Sequence, residues 1–137
     1  MRPQRFAEYV LDLVKNAPSV SRVQTLAEAG DAKHPFGLVI TTSSGETRWQ
    51  FTGQLPDGAK HEGFADEPVT GAPAAQLGDP TAAGSPEEWF AAVLAQAESP
   101  EVSVIERWST GEGVASDAQR GVTVTFHNGA RIFARQL

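Results

Sequence analysis

Three histidines, a scatter of acids and two arginines flanking a phenylalanine are the residues of this chain whose side chains could do chemistry. His34, His61 and His127 lie far apart in sequence, and none is paired at the spacing by which a helix offers two imidazoles to one metal ion. His61 opens the stretch HEGFA, which lacks the second histidine of a zinc-binding helix. All three read as solvent-facing, and His127, just before Asn128-Gly129, as a turn residue. The stretch STGEGVASD from Ser109 contains a Gly-x-Gly but no Lys-Ser or Lys-Thr after it, so it reads as a loop between strands rather than a phosphate cradle. Ser116, Asp117 and His127 can be drawn as a hydrolytic set, yet no strained nucleophile turn surrounds the serine. Asp66-Glu67 lacks the oxygen-ligand spacing of a calcium loop. No catalytic residue, metal ligand or cofactor site is expected.

The arginines near the C-terminus are less bland. With a two-residue turn at Asn128-Gly129, Arg131, Phe133 and Arg135 fall on the apolar face of a hairpin, and Phe126 lies directly across from Arg131. Two guanidiniums beside aromatic rings can bind a carboxylate, a phosphate or a stacked base through bidentate and cation-π contacts. The plainer alternative is that the arginine stems cover the sheet while their heads reach solvent or pair with nearby acids. Arg131, Arg135, Phe133 and Phe126 are the candidate ligand-binding residues.

These residues need elements to position them. Phe6, Tyr9, Val10, Leu13, Val14 and Ala17 recur at helical spacing, with Pro3 in the first turn and Pro18 as a stop. A second helix begins in SPEEWFAAVLAQAESP, where Ser85 is a natural N-cap, Pro86 sits at the first helical position and Glu88 completes the spacing of a capping box. Phe90, Val93, Leu94 and Ala97 form its buried stripe, with Trp89 beside it. After each helix comes a proline and a short β-rich segment. In the second, Val102, Val104 and Trp108 share a face, interrupted by Glu106. In the first, Val20, Val23 and Leu26 also suit a helical turn, and strand is preferred by analogy.

FGLVITTSSGETRWQF and RGVTVTFHNGARIFAR then read as two hairpins around Ser44-Gly45 and Asn128-Gly129. Two-residue loops would set Ile40 opposite Trp49, Leu38 opposite Phe51, Val124 opposite Phe133 and Val122 opposite Arg135. The tails SSGETRWQFTGQL and HNGARIFARQL resemble one another. The likeness extends backwards at an offset of 82 residues for Pro18 and Pro100, Val20 and Val102, Leu26 and Trp108, and at 84 for Gly45 and Gly129. An α+β fold follows: two pseudo-repeated α-β-β-β units forming one antiparallel sheet or two, with both helices packed on one face. The first unit spans residues 1–55 and the second 85–137. Residues 56–84 form a linker rich in Gly, Pro and Ala, anchored only by Phe64, Val69 and Leu77, and the whole makes a single compact domain. Trp49, Phe51 and Trp108 read as core or helix-packing residues.

Composition narrows function further. The chain has 137 residues, a formal net charge of −6 and no cysteine, which removes disulfides, thiolate metal sites and cysteine nucleophiles together. Its field repels phosphate backbones and anionic membranes, so nucleic acid is a disfavoured partner. Glu8, Asp12 and Lys15 interrupt the apolar pattern of the first helix, so it is neither a signal peptide nor a span, and a soluble cytoplasmic protein is expected. The expected function is a non-enzymatic protein-interaction or assembly module, with a protein partner or self-association, such as an accessory or structural protein of a phage, mobile element or larger complex. The alternatives are anion or single-stranded oligonucleotide binding through Arg131, Phe133 and Arg135, and a small enzyme with an unrecognised site.

Overall fold

Four-residue spacing of Phe6, Val10 and Val14 puts all three on one stripe of α1 (Pro3–Val14), and that stripe is buried. A computed structural model of the chain describes residues 1–17, 19–56, 69–80, 84–110 and 120–137. Six strands follow in the order β1 (Val20–Thr25), β2 (Gly37–Thr42), β3 (Gly45–Gln54), then, after α2 (Pro86–Gln96), β4 (Val102–Arg107), β5 (Gly121–Phe126) and β6 (Arg131–Gln136). Among the described residues the fold is α+β: two α-helices and one six-stranded antiparallel sheet, with strand order β1-β2-β3-β6-β5-β4. The ambiguous segment after α1 is strand β1. Pro18, the expected stop of α1, lies outside the described residues.

Ser85 caps α2 as its sequence predicts: the side-chain oxygen accepts from the Glu88 N–H at 3.1 Å. The reciprocal half of the capping box differs, because the Glu88 carboxylate accepts from the Gly84 N–H at 3.4 Å instead of reaching Ser85. Phe90, Val93 and Leu94 are buried as expected, but so are Glu87, Trp89, Ala91, Ala92 and Ala95. With buried residues around most of its circumference, α2 sits deeper than a surface helix with one apolar stripe. Its Phe90 stacks on Trp49 of β3 with centroids 4.5 Å apart and lies 6.2 Å from Phe51. From α1, Phe6 meets the same Phe51 edge-on at 5.0 Å and also approaches Phe126 at 6.3 Å. These rings form the centre of the core. No helix among the described residues is long and apolar enough to cross a membrane.

Both hairpins turn differently from expectation, and the parity of the difference decides the outcome. In the first, Thr42 pairs with Gly45, so the two-residue loop is Ser43-Ser44. Leu38 therefore faces Trp49 and Ile40 faces Thr47, a register moved by two, and every side chain keeps its expected face. In the second, the Phe126 N–H donates to the Ala130 carbonyl, leaving a three-residue loop of His127, Asn128 and Gly129. Gly129 supplies the left-handed backbone at φ +91°, and the Asn128 side chain accepts from the Ala130 N–H. That third residue moves the register by one. Val124 faces Ile132 and Val122 faces Ala134, so Ile132 and Ala134 enter the core, and Arg131, Phe133 and Arg135 leave it.

A similar correction applies to β4. The pairing with β5 is irregular between Val102 and Val104, and the extra residue turns Val104 outwards to 44% exposure while Ile105 takes the buried place. Val102 and Val104 do not share a face. The pairing of β1 with β2 carries the same irregularity between Val20 and Arg22.

Of the Pro/Gly/Ala-rich segment, the described residues 69–80 are tied to the body of the protein. The Gly71 N–H donates to the Pro100 carbonyl, Gln76 donates to the Ala95 carbonyl, and Leu77 packs against the core. Val69 stays exposed at 48%, and Phe64 lies outside the described residues.

Candidate functional site on the second face of the sheet

The face turned away from Trp49 and Phe51 can be read from the pairings as successive rows crossing the strands. The middle row runs Gly37, Gln50, Arg135, Gly121. On one side of it lies the row Gln24, Val39, Arg48, and beyond that Arg22, Thr41, Glu46. On the other side lies Thr52, Phe133, Thr123, Glu106, and then Gln54, Arg131, Thr125, Val104. Among the described residues of the strands, four of the eight arginines of the chain share this face with two glutamates. The described part of the face thus carries an excess of positive charge in a molecule of net charge −6. Spacing along one strand already pairs Arg131 with Arg135, and the register adds Arg48 and Arg22 to their face.

The two glycines of the middle row are occupied from above. A Cβ on Gly37 would meet the Trp49 carbonyl and approach Leu26 Cδ1 at 2.5 Å; one on Gly121 would lie 2.5 Å from the Ala134 carbonyl oxygen and 2.7 Å from the Trp108 ring. Leu26 and Trp108 therefore sit in glycine gaps at either side of Gln50 and Arg135. The Trp108 indole N–H donates to Thr123 Oγ1 at 2.8 Å, which fixes it beside the Phe133 row. Trp108 belongs to a 3-10 turn, not to a strand face shared with Val102. The glycines opening FGLVIT and RGVTVT stand 84 residues apart, as Gly45 and Gly129 do, so a signal for these gaps was present in the sequence.

Behind Trp108 lies a feature that composition alone does not announce. Glu87 in the first turn of α2 is 1% exposed. It accepts from Arg107 Nε at 3.1 Å, from the Gly121 N–H at 2.9 Å, from the Ser109 N–H at 3.3 Å and from the Ser109 hydroxyl. Burial pushes its carboxyl up, but the donors of Ser109, Gly121 and Arg107 outweigh that and hold it below the ordinary carboxylate range. One carboxylate thus ties α2 to both strands flanking Trp108. In sequence it reads only as an acid suited to a helix start.

The expected ligand residues separate. Arg131, Phe133 and Arg135 share the second face, with Arg131 exposed and the other two half-buried. Phe126 is in the core against Phe6, and Thr125, not Phe126, lies across from Arg131. Arg48 is held by Glu46 at 3.3 Å and Arg22 by Gln24 at 3.2 Å. The side chains of Arg131 and Arg135 make no hydrogen bond or ion pair among the described residues, and Arg135 Nε is covered without an acceptor.

The other polar residues are locally engaged. His34 donates to Asp31 at 2.8 Å within a turn, a bond that leads the other contacts of Asp31 in lowering its carboxyl pKa. His127 donates to the Ala72 carbonyl at 2.9 Å and so holds the segment after β3 against the β5–β6 loop. His61, Asp66, Glu67, Ser116 and Asp117 lie outside the described residues. A hollow of about 110 Å³ between the β2–β3 turn and the start of α2 is lined by Ser19, Thr42, Ser44, Ser85 and Trp89, with no titratable side chain among the described residues. Among the described residues no group of three or more acids or histidines could hold a metal ion. Comparison with protein-family models, curated proteins and solved structures finds no match to this chain.

Proposed function

We propose that the chain is a non-enzymatic interaction module whose second sheet face docks a protein partner through carboxylates. The observation that carries this is the pair Arg131 and Arg135. They flank Phe133 on a central strand and have no ion pair among the described residues, although the chain has 17 acidic residues that could have supplied one. A guanidinium is a fixed fork of donors matched to carboxylate geometry, and a ring between two such forks adds apolar contact.

The architecture behind the face is two α-β-β-β units related by a pseudo-twofold axis, both helices lying on the core side. Several correspondences support it. The β-bulges start at Val20 and Val102, 82 residues apart, and the glycine gaps at Gly37 and Gly121, 84 apart. Gln50 and Arg135 pair with each other and occupy equivalent places opposite Gly37 and Gly121, so the axis passes between them. Phe6 from one helix and Phe90 from the other both reach Phe51. The units differ where a ligand would sit: Arg135 corresponds to Gln50, Phe133 to Arg48 and Arg131 to Glu46.

The test is fluorescence anisotropy of labelled poly-glutamate against the intact chain and the double variant Arg131→Glu/Arg135→Glu, at low and physiological salt. Binding that weakens with salt and disappears in the variant is expected. No binding at low salt, or equal binding by the variant, removes the proposal. Labelled single-stranded DNA in the same titration tests the second reading, for which Phe133 between two arginines is the supporting arrangement.

A further inference from the structure

We infer that the face recognises a segment in extended conformation, laid along β6, with carboxylates four residues apart and an apolar side chain midway between them. This rests on the acidic-partner reading and adds a register to it.

Arg131, Phe133 and Arg135 alternate along one strand, so a rise of about 3.3 Å per residue sets the two arginine Cα atoms roughly 13 Å apart with the ring halfway between. An extended partner has the same rise, and its residues i, i+2 and i+4 project to one side at the same intervals. The order cation, ring, cation is therefore complementary to acid, apolar, acid. A polynucleotide carries a charge on every unit, and Phe133 provides no cation for the middle one.

The rows on either side supply what a segment on a sheet face lacks, namely partners for its backbone. Thr52 and Thr123 flank Phe133, Gln54 and Thr125 flank Arg131, and Gln50 flanks Arg135. Their hydroxyls and amides offer donors and acceptors to peptide groups that cannot reach a strand edge. Because Arg135 Nε is covered, its terminal amino groups form the edge left to meet a carboxylate. Trp108 over Gly121 bounds one side of the strip beside that residue.

The experiment compares two labelled peptides of one composition, with the core Glu-Thr-Leu-Thr-Glu in the first and Glu-Leu-Thr-Glu-Thr in the second, by anisotropy with the full chain. The first should bind at least about tenfold more tightly, equivalent to about 1.4 kcal/mol. Arg131→Glu and Arg135→Glu should each weaken it about tenfold or more. Lys15→Glu, at the exposed C-terminal end of α1 and not on this face, should change it by less than about twofold, since distant sites act independently. Wild-type circular dichroism and melting of each variant exclude misfolding as the cause. Equal affinity for the two peptides, or binding of poly-glutamate with neither peptide bound, overturns the register while the acidic-partner reading stands. No binding of any acidic probe overturns both. Tighter binding of single-stranded DNA than of the matched peptide replaces both with the nucleic-acid reading.

Discussion

Replacing Glu87 by Gln changes almost no volume and removes one charge from the place where α2, the end of β4 and the start of β5 meet. The carboxylate is 1% exposed and accepts from Arg107, Gly121 and twice from Ser109. A glutamine there offers one oxygen in place of two and turns an amide N–H₂ towards donors. Removing one member of a buried ion pair costs about 3–5 kcal/mol, and Arg107, whose side chain is 24% exposed, keeps part of its hydration, which moves the expectation to about 2–4 kcal/mol. For a chain of this length that lowers Tm by roughly 10 °C. The sign of the pH dependence follows from the lowered pKa of Glu87. Its contribution is complete above the unfolded value of about 4.3 and is lost as the pH falls through the lower folded value. Urea unfolding followed by circular dichroism from pH 7 down to pH 3 should therefore show a gap between wild type and Glu87→Gln that closes on the acid side. A gap below about 0.5 kcal/mol at pH 7, the size of an ordinary surface change, would mean that the buried carboxylate holds these elements together no better than a surface group, and a gap of undiminished size at pH 3 that its charge is not what the substitution removes.

Two further outcomes are expected. Gly121→Ala and Gly37→Ala place a methyl against backbone carbonyls and against Trp108 or Leu26, and each should cost about 1–3 kcal/mol, read as a fall in urea midpoint with unchanged m-value. Tyr9 is the only tyrosine, and burial first, with Glu101 adding to it against a hydrogen bond to Ser99, raises its pKa above 10. Ultraviolet titration of the native chain should therefore place phenolate formation above that in urea, and the stability held by the neutral phenol should be lost as the pH rises through the folded value; coincident midpoints would contradict it.

Much of the element sequence was legible because it rests on local chemistry. Ser85-Pro86 starts α2, Phe6, Val10 and Val14 mark α1, and the glycines near 45 and 129 mark the two hairpins. What could not be read was parity. Asn128-Gly129 is the strongest hairpin signal in the chain, yet it serves equally in a two-residue or a three-residue loop, and the choice depends on whether Ile132 or Phe133 fits the core. For the same reason Phe126 keeps its apolar face but loses Arg131 as its neighbour across the hairpin. Val104 was misplaced by a bulge, whose extra residue leaves no mark on an alternating pattern. Glu87 was missed because a first-turn acid normally faces water, and the donors that bury it come from residues 107, 109 and 121.

The three-residue loop at His127–Gly129 has a genetic consequence. Surface turns ordinarily absorb insertions and deletions more easily than strands do. Here the loss of a single residue would exchange the inside and outside of β6, driving Arg131, Phe133 and Arg135 towards Trp49 and the core while ejecting Ile132 and Ala134. Substitutions can thus accumulate on that strand one at a time, whereas its length is under a constraint of its own. In a lineage of such chains, the number of residues in this turn would be held more firmly than their identities.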